Sequence, residues 1–306
     1  MLNCVPVIYM KKQIQGSIFL LIGTVIWGTA FVAQSVGMDY IEPFTFQTCR
    51  SGLAVIALWP VIWMFDQKQD GGKTFKAKWT DKHLWKTGLL CGIALFIASG
   101  AQQVGLVYTD AGKAGFITAM YIVLVPILGL LFRQKVTPLI WFSVGLAVVG
   151  LYLLSAMGVS EINFGDLMLM LCAVAFAVQI TLIDRLAQNL DGLRLNLVQF
   201  LVVALLSAIT MVLTEKPSLS AIFACSFPLL YTGVMSSAVA YSLQILGQQH
   251  LDPAPASLIM SLESVVAALS GWLLLGERMT LPELTGCALV FTAVILSQLP
   301  SKKLPS

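Results

Sequence analysis

Apolar residues in this chain come in long unbroken runs, not in the alternating or one-sided patterns of a water-facing strand or helix. Charge-poor stretches recur from end to end, and a bilayer core of about 30 Å needs roughly 20 apolar residues in a helix to cross it. They predict helices over 17–38, 43–65, 87–109, 114–132, 136–156, 166–184, 195–214, 227–249, 254–275 and 282–299. The sixth and tenth are short, and Pro217 and Pro228 set a late start for the eighth, although 217–226 is also uncharged. Lipid offers backbone N–H and C=O groups no partner, so spanning segments must be helices or closed barrels, and the alternation of barrel strands is absent. The fold class predicted is therefore all-α integral membrane, with ten transmembrane helices.

Composition agrees. Hydrophobic residues make up 58% of the 306 and charged residues 11%, against about 25% charged in an ordinary soluble domain. The run after Lys11 and Lys12 is too long for a signal-peptide core, so a retained first membrane helix is expected. The net charge of +3 forms no basic face, so no nucleic-acid partner is expected. Six cysteines, at 4, 49, 91, 172, 225 and 287, show neither a disulfide framework nor metal-ligand spacing. No metal site and no cofactor are expected.

The placement of positive charge says more than its sum. One connection is long and polar, from Asp66 to Lys86, with Lys68, Lys73, Lys76, Lys78, Lys82 and Lys86, and it ends on Trp79 and Trp85. Those tryptophans fit an interfacial anchor. With a cytoplasmic N-terminus, that connection joins Lys11, Lys12, Arg133, Lys135, Arg185, Arg194, Lys302 and Lys303 on the inside, leaving Lys113, Lys216 and Arg278 outside. This is the positive-inside pattern, so both termini of a multi-pass cell (inner) membrane protein are expected in the cytoplasm.

A shift of 142 residues lays the fourth segment over the ninth: Ala114 on Ala256, Ile117 on Ile259, Val123 on Val265, Gly129 on Gly271 and Leu131 on Leu273. Tyr108-Thr109-Asp110 likewise falls on His250-Leu251-Asp252. Two halves are expected, 16–156 and 165–299. Five helices per half is an odd number, so the second half runs through the bilayer upside down. Such inverted repeats are a construction principle of secondary transporters, with the substrate site near the midplane between them.

Ionisable residues within apolar spans cost about 2.5–3.5 kcal/mol at the centre on insertion scales, so each needs a reason. Arg50 lies about 10 Å below one end of the second helix and Glu263 about 14 Å from the opposite face along the ninth, at 1.5 Å per residue. Glu263 reads as a proton carrier or a ligand for a cationic substrate group, or else as one half of a fixed ion pair. Arg50 reads as its partner, or as an arginine that snorkels to the interface. Tyr121 is the repeat counterpart of Glu263. Trp27 and Tyr121 are candidates for a pocket wall. Gln34, Gln47, Gln102, Gln103, Gln179, Gln199 and Gln244 can bind a zwitterionic substrate or simply bond to neighbouring helices. The candidate substrate-binding or coupling set is Trp27, Arg50, Gln102, Tyr121, Gln179, Gln244 and Glu263. Pro126 is expected to kink or open the fourth helix. No hydrolase, zinc-protease, dinucleotide or P-loop pattern occurs, so no enzyme is expected.

Trp27-Gly28-Thr29 with Phe31, then Pro43-Phe44 and Cys49-Arg50, resemble the opening of EamA-type members of the drug/metabolite transporter superfamily. Ala114-Gly115-Phe116-Ile117-Thr118 through Tyr121 to Val125-Pro126 is similar to the same group, as is Leu262-Glu263 running to Gly271 and Leu273-Leu274-Leu275-Gly276-Glu277. Ser264 stands where similar proteins often carry a proline after this glutamate. The resemblance implies a ten-helix inverted-repeat carrier with a central cavity, exporting or exchanging small metabolites such as amino acids. The expected partners are a small-molecule substrate, the lipid bilayer and, through Glu263, protons. The competing reading is a non-transporting membrane scaffold or sensor.

Overall fold

A computed structural model describes residues 4–70, 78–109, 111–154, 163–275 and 279–299. Lys73, Lys76, Asp110, Gly276, Glu277, Arg278, Lys302 and Lys303, used above, lie outside these residues. Among the described residues there is no strand. Helices run over Cys4–Met38 (α1), Pro43–Asp70 (α2), Lys82–Tyr108 (α3), Ala111–Thr118 (α4), Tyr121–Leu131 (α5), Pro138–Leu154 (α6), Phe164–Leu186 (α7) and Gly192–Thr214 (α8). Then follow Leu219–Ala224 (α9), Ser226–Leu230 (α10), a π-helix over Tyr231–Ala240, Tyr241–Gln248 (α11), Pro253–Met260 (α12), Leu262–Leu275 (α13) and Leu281–Ser297 (α14).

Eight helical stretches among the described residues are long and apolar enough to cross a membrane; α6 and α14, at 17 residues each, are shorter. At 1.5 Å per residue each of those two spans about 26 Å. Hydropathy locates the bilayer-crossing part of a helix but not its ends, which local chemistry sets. Asp81 caps α3 by accepting from His83 N–H at 2.8 Å, six residues before the predicted start. Asp191 caps α8 through the N–H groups of Leu193 and Arg194, and reciprocal capping boxes start α7 (Asn163 with Asp166) and α14 (Thr280 with Glu283). The eighth segment departs furthest from expectation: 219–224 is a short helix of its own, and the π-helix follows Pro228.

Helix pairing sets the position of everything else. The chief contacts are α3 on α7 and α8, α1 on α13, α11 and the π-helix, α2 on α8 and the π-helix, α5 on α7, and α6 on α14. Small residues allow the closest of these crossings. A Cβ on Gly247 would stand 2.9 Å from the Gly16 carbonyl, one on Gly165 would stand 2.9 Å from the Gly105 carbonyl, and one on Gly286 would stand 2.5 Å from the Gly150 carbonyl. Large apolar side chains such as Leu213, Leu219, Phe223, Phe227 and Leu281 remain exposed on the outside, as they can where the solvent is lipid. At one end of the α2–α8 pair, the carboxylate of Asp66 bonds the buried Arg194 guanidinium, which also bonds Asp191 and lies over the Trp79 ring.

Gly286→Val is expected to force α6 and α14 apart and lower stability by about 1–3 kcal/mol, the usual cost of overpacking. Gly145→Ala, where an added Cβ meets nothing within 4 Å, should leave thermal unfolding in detergent unchanged or raised. Asp66→Asn leaves Arg194 with a buried, half-compensated charge and is expected to cost about 3–5 kcal/mol, read in the same unfolding assay.

Candidate functional site

The fourth and ninth segments are each broken at mid-length. Thr118 ends α4 and Tyr121 starts α5; Met260 ends α12 and Leu262 starts α13. Tight three-residue bonds close the turns, with Met120 N–H donating to Ile117 O at 3.1 Å, Ile122 N–H to Ala119 O at 3.0 Å, and Ser264 N–H to Ser261 O at 3.2 Å. The expected opening at Pro126 is thus displaced. Pro126 sits inside a continuous α5, and the break lies a turn or more upstream. A matching break at Ser261, where no proline follows within the helix, indicates that the proline is not its cause. Each break places a functional side chain at the start of a half-helix: Tyr121 is the first residue of α5 and Glu263 the second of α13. Negative charge is favoured in a first helical turn, which partly offsets the cost of burying the Glu263 carboxylate.

Between these starts and α1, α2, α3, α7, the π-helix and α11 lies a cavity of about 30 Å³, which must widen to admit a small molecule, whose sites usually measure roughly 300–1,000 Å³. Six of the seven candidate residues line it: Trp27, Arg50, Gln102, Tyr121, Gln244 and Glu263. The seventh, Gln179, stands behind the wall, its Oε1 accepting from Gln244 Nε2 at 3.2 Å. Phe31, Gln34, Phe176, Ile180, Ser236, Tyr241 and Met260 complete the lining.

Arg50 does not snorkel. It is 3% exposed and points inward, with Nη1 donating to Gln34 Oε1 at 2.6 Å and Nε donating to Ser237 Oγ at 3.2 Å. Its face of α2 meets α1 and the π-helix, not lipid. Nor does it form a fixed pair with Glu263: among the described residues no ion pair within 4.0 Å includes either side chain. Both partners of Arg50 are neutral, so its charge is solvated but not neutralised. Across the cavity, Tyr121 O–H donates to Glu263 Oε1 at 3.2 Å. The walls are aromatic: Trp27 meets Tyr241 edge-on at 4.9 Å between centroids, and Tyr121 meets Phe176 at 6.4 Å.

Two further lining atoms have no hydrogen-bond partner among the described residues, the donor Trp27 Nε1 and the acceptor Gln244 Oε1. Buried polar atoms are nearly always paired, so orphans on residues that line one cavity are groups that a ligand could satisfy. The other glutamines serve packing: Gln47 bonds Ser99, and Gln103 Nε2 donates to Met38 Sδ at 3.3 Å. Sequence reasoning missed Tyr241 and Ser237 as site residues. Serines and tyrosines are common in membrane helices, and the π-helix that turns Ser236 and Ser237 inward carries no sequence mark.

Comparison with known proteins agrees with this architecture. The profile of the EamA-like transporter family matches residues 14–156 and 163–299. An uncharacterized transporter of Archaeoglobus fulgidus is 31% identical over 291 residues, covering 94% of this chain and 87% of that protein. The uncharacterized transporter YoaV of Bacillus subtilis is 21% identical over 284 residues, covering 90% and 93% respectively. A solved crystal structure shares the fold at a TM-score of 0.75 and 15% identity, over 92% of this chain and 96% of that one. With both halves of the sequence matched and a relative above 30% identity along nearly its whole length, this multi-pass membrane chain belongs to the EamA-like transporter family of the drug/metabolite transporter superfamily.

Proposed function

We propose that the protein is a secondary transporter that exports small organic metabolites such as amino acids across the cytoplasmic membrane by alternating access. The observation that carries this reading is the central cavity, which combines an unneutralised cation at Arg50, a carboxylate at Glu263, two orphan hydrogen-bonding atoms and aromatic walls. A zwitterion with an apolar side chain answers all of them. Its carboxylate bonds the Arg50 guanidinium, its ammonium lies near Glu263 and Gln244, and its side chain rests on the aromatic rings.

The reading includes ten membrane helices in two inverted halves, 16–156 and 165–299, and it is supported by paired features along the chain. The broken helices repeat at a constant offset, Ala119 with Ser261 and Tyr121 with Glu263. The close crossing of Gly105 with Gly165 has its counterpart in that of Gly247 with Gly16, while α6–α14 and α2–α8 each join equivalent helices of the two halves. By these contacts α3, α4, α5 and α7 pack as one group and α1, α11, α13 and the π-helix as another, with the cavity between them and the α2–α8 and α6–α14 pairs at the sides. Rocking one against the other opens the cavity to each face in turn. The lysine and arginine bias supports cytoplasmic termini, and outward transport follows from the family resemblance.

Glu263 is the proton-coupling group in this scheme, since it is the one carboxylate among the lining residues and has no cation to hold it ionised. It releases its proton to take up the substrate's ammonium and regains it when the substrate leaves. In reconstituted vesicles a panel of amino acids should show substrate-dependent flux that responds to an imposed proton gradient. Glu263→Gln is expected to insert normally and lose the response to that gradient; wild-type pH dependence in this variant would exclude the coupling role. Arg50→Gln should reduce the apparent affinity for a carboxylate-bearing substrate about ten- to a hundred-fold, the worth of one hydrogen bond to a charged group. Unaltered KM in Arg50→Gln would move the carboxylate site elsewhere.

A further inference from the structure

The polarity of one glutamine can be fixed from its neighbours. A glutamine amide can face a cavity with either its oxygen or its nitrogen, and in isolation nothing chooses between them. Gln244 is not isolated. It heads a buried chain of side-chain amides through Gln179 and Gln199 to Asn196, all four at most 3% exposed.

The far end of that chain is unambiguous. The Asn196 amide faces the backbone carbonyls of Ser237 at 3.2 Å and Ala238 at 3.0 Å. Backbone carbonyls only accept, so the atom presented to them is nitrogen. Its third neighbour, Ser242 Oγ at 2.8 Å, has its own O–H committed to Ala238 O at 2.6 Å and also accepts. Asn196 Oδ1 therefore turns the other way and receives Gln199 Nε2 at 2.8 Å. Each link then forces the next: Gln199 Oε1 receives Gln179 Nε2 at 3.5 Å, and Gln179 Oε1 receives Gln244 Nε2 at 3.2 Å. What remains is Gln244 Oε1, unpaired at the cavity wall. Reversing Gln244 alone would set two carbonyl oxygens face to face. Reversing the whole chain would set Asn196 Oδ1 against two backbone carbonyls, each an uncompensated buried repulsion.

We infer that Gln244 is a specificity-determining residue, locked by the Gln179–Gln199–Asn196 relay with its carbonyl oxygen toward the cavity, so that it selects substrates carrying an N–H donor at that point. Gln179, Gln199 and Asn196 are positioning residues, and the π-helix anchors them. Ser237 serves both ends of the site: its backbone oxygen fixes the relay and its hydroxyl accepts from Arg50. A deaminated analogue, without an N–H donor, leaves the Gln244 oxygen unmatched and is discriminated against. The inference rests on the cavity being the substrate site.

Binding to the full-length protein in nanodiscs tests it with two probe pairs: L-phenylalanine against 3-phenylpropanoate, and L-leucine against 4-methylpentanoate. The wild type is expected to prefer each amino acid at least tenfold over its deaminated acid. Gln244→Leu should reduce that ratio about tenfold. Asn196→Leu leaves Gln244 intact but frees the relay to reverse, and should lower the ratio several-fold; Gln179→Leu, which cuts the relay nearer the cavity, should do the same if Asn196→Leu fails to fold. Equal binding of the paired probes by wild type, or an unchanged ratio in Gln244→Leu, overturns the inference and leaves the site reading standing. An unchanged ratio in a folded relay variant overturns the locking role and reduces the relay to helix packing. Failure of wild type to bind any of the four probes overturns both this inference and the assignment of the cavity.

Discussion

A hydrocarbon solvent gives no hydrogen bonds, and this protein is organised around that deficit. Every backbone group in the spanning segments must find a partner within its own helix, and every buried side-chain donor or acceptor must find one on a neighbour. The described residues show the consequence at each level. Threonines and serines such as Thr24, Thr181 and Thr232 return their hydroxyls to the preceding turn. Arg194 is surrounded by Asp66 and Asp191, and Arg50 is met by Gln34 and Ser237. At the central cavity Trp27 Nε1 and Gln244 Oε1 stay unpaired near the Glu263 carboxylate, two among several buried polar atoms without a hydrogen-bond partner among the described residues.

Irregular backbone follows the same rule. The breaks before Tyr121 and Glu263 and the π-helix over Tyr231–Ala240 lie against the cavity or against other helices, where freed polar groups still find partners. They also fix the chemistry. The breaks bring a phenol and a carboxylate to helix starts that face each other, and the π-helix supplies both the Ser237 hydroxyl for Arg50 and the carbonyls that orient Asn196. The least regular segments of the chain are thus the ones that build the site.

Close approach of the helices depends on glycine. The crossings at Gly16–Gly247 and Gly105–Gly165 set the distances between the elements that carry Trp27, Gln244, Gln102 and Phe176, and Gly28 lets α1 approach the Glu263 carbonyl on α13. Side-chain volume at those crossings would widen the cavity and separate Tyr121 from Glu263. The Asp66–Arg194 pair and the Glu215 carboxylate, which accepts from the N–H groups of Phe44 and Thr45 at 2.7 and 2.6 Å, tie the opposite ends of the α2–α8 pair.

The unbroken apolar runs alone determined that this is a helical membrane protein, because no other structure satisfies a backbone in lipid. They also located most spans, and the expense of an intramembrane charge marked Arg50 and Glu263 as residues needing a reason. Repeat spacing alone pairs Tyr121 with Glu263. Helix ends were less legible, since a cap such as Asp81 acts through one local bond that hydropathy does not register. The π-helix, the break before Tyr121, the inward aim of Arg50 and the choice of three glutamines and five aromatics out of many were decided only by the fold. Those features depend on which helix faces which, and a residue such as Gln244 acquires its sense from a chain of partners more than forty positions away in sequence. A glutamine in a membrane span bonds equally well to a neighbour or to a substrate; tertiary packing, by using up one side of its amide, leaves the other for function.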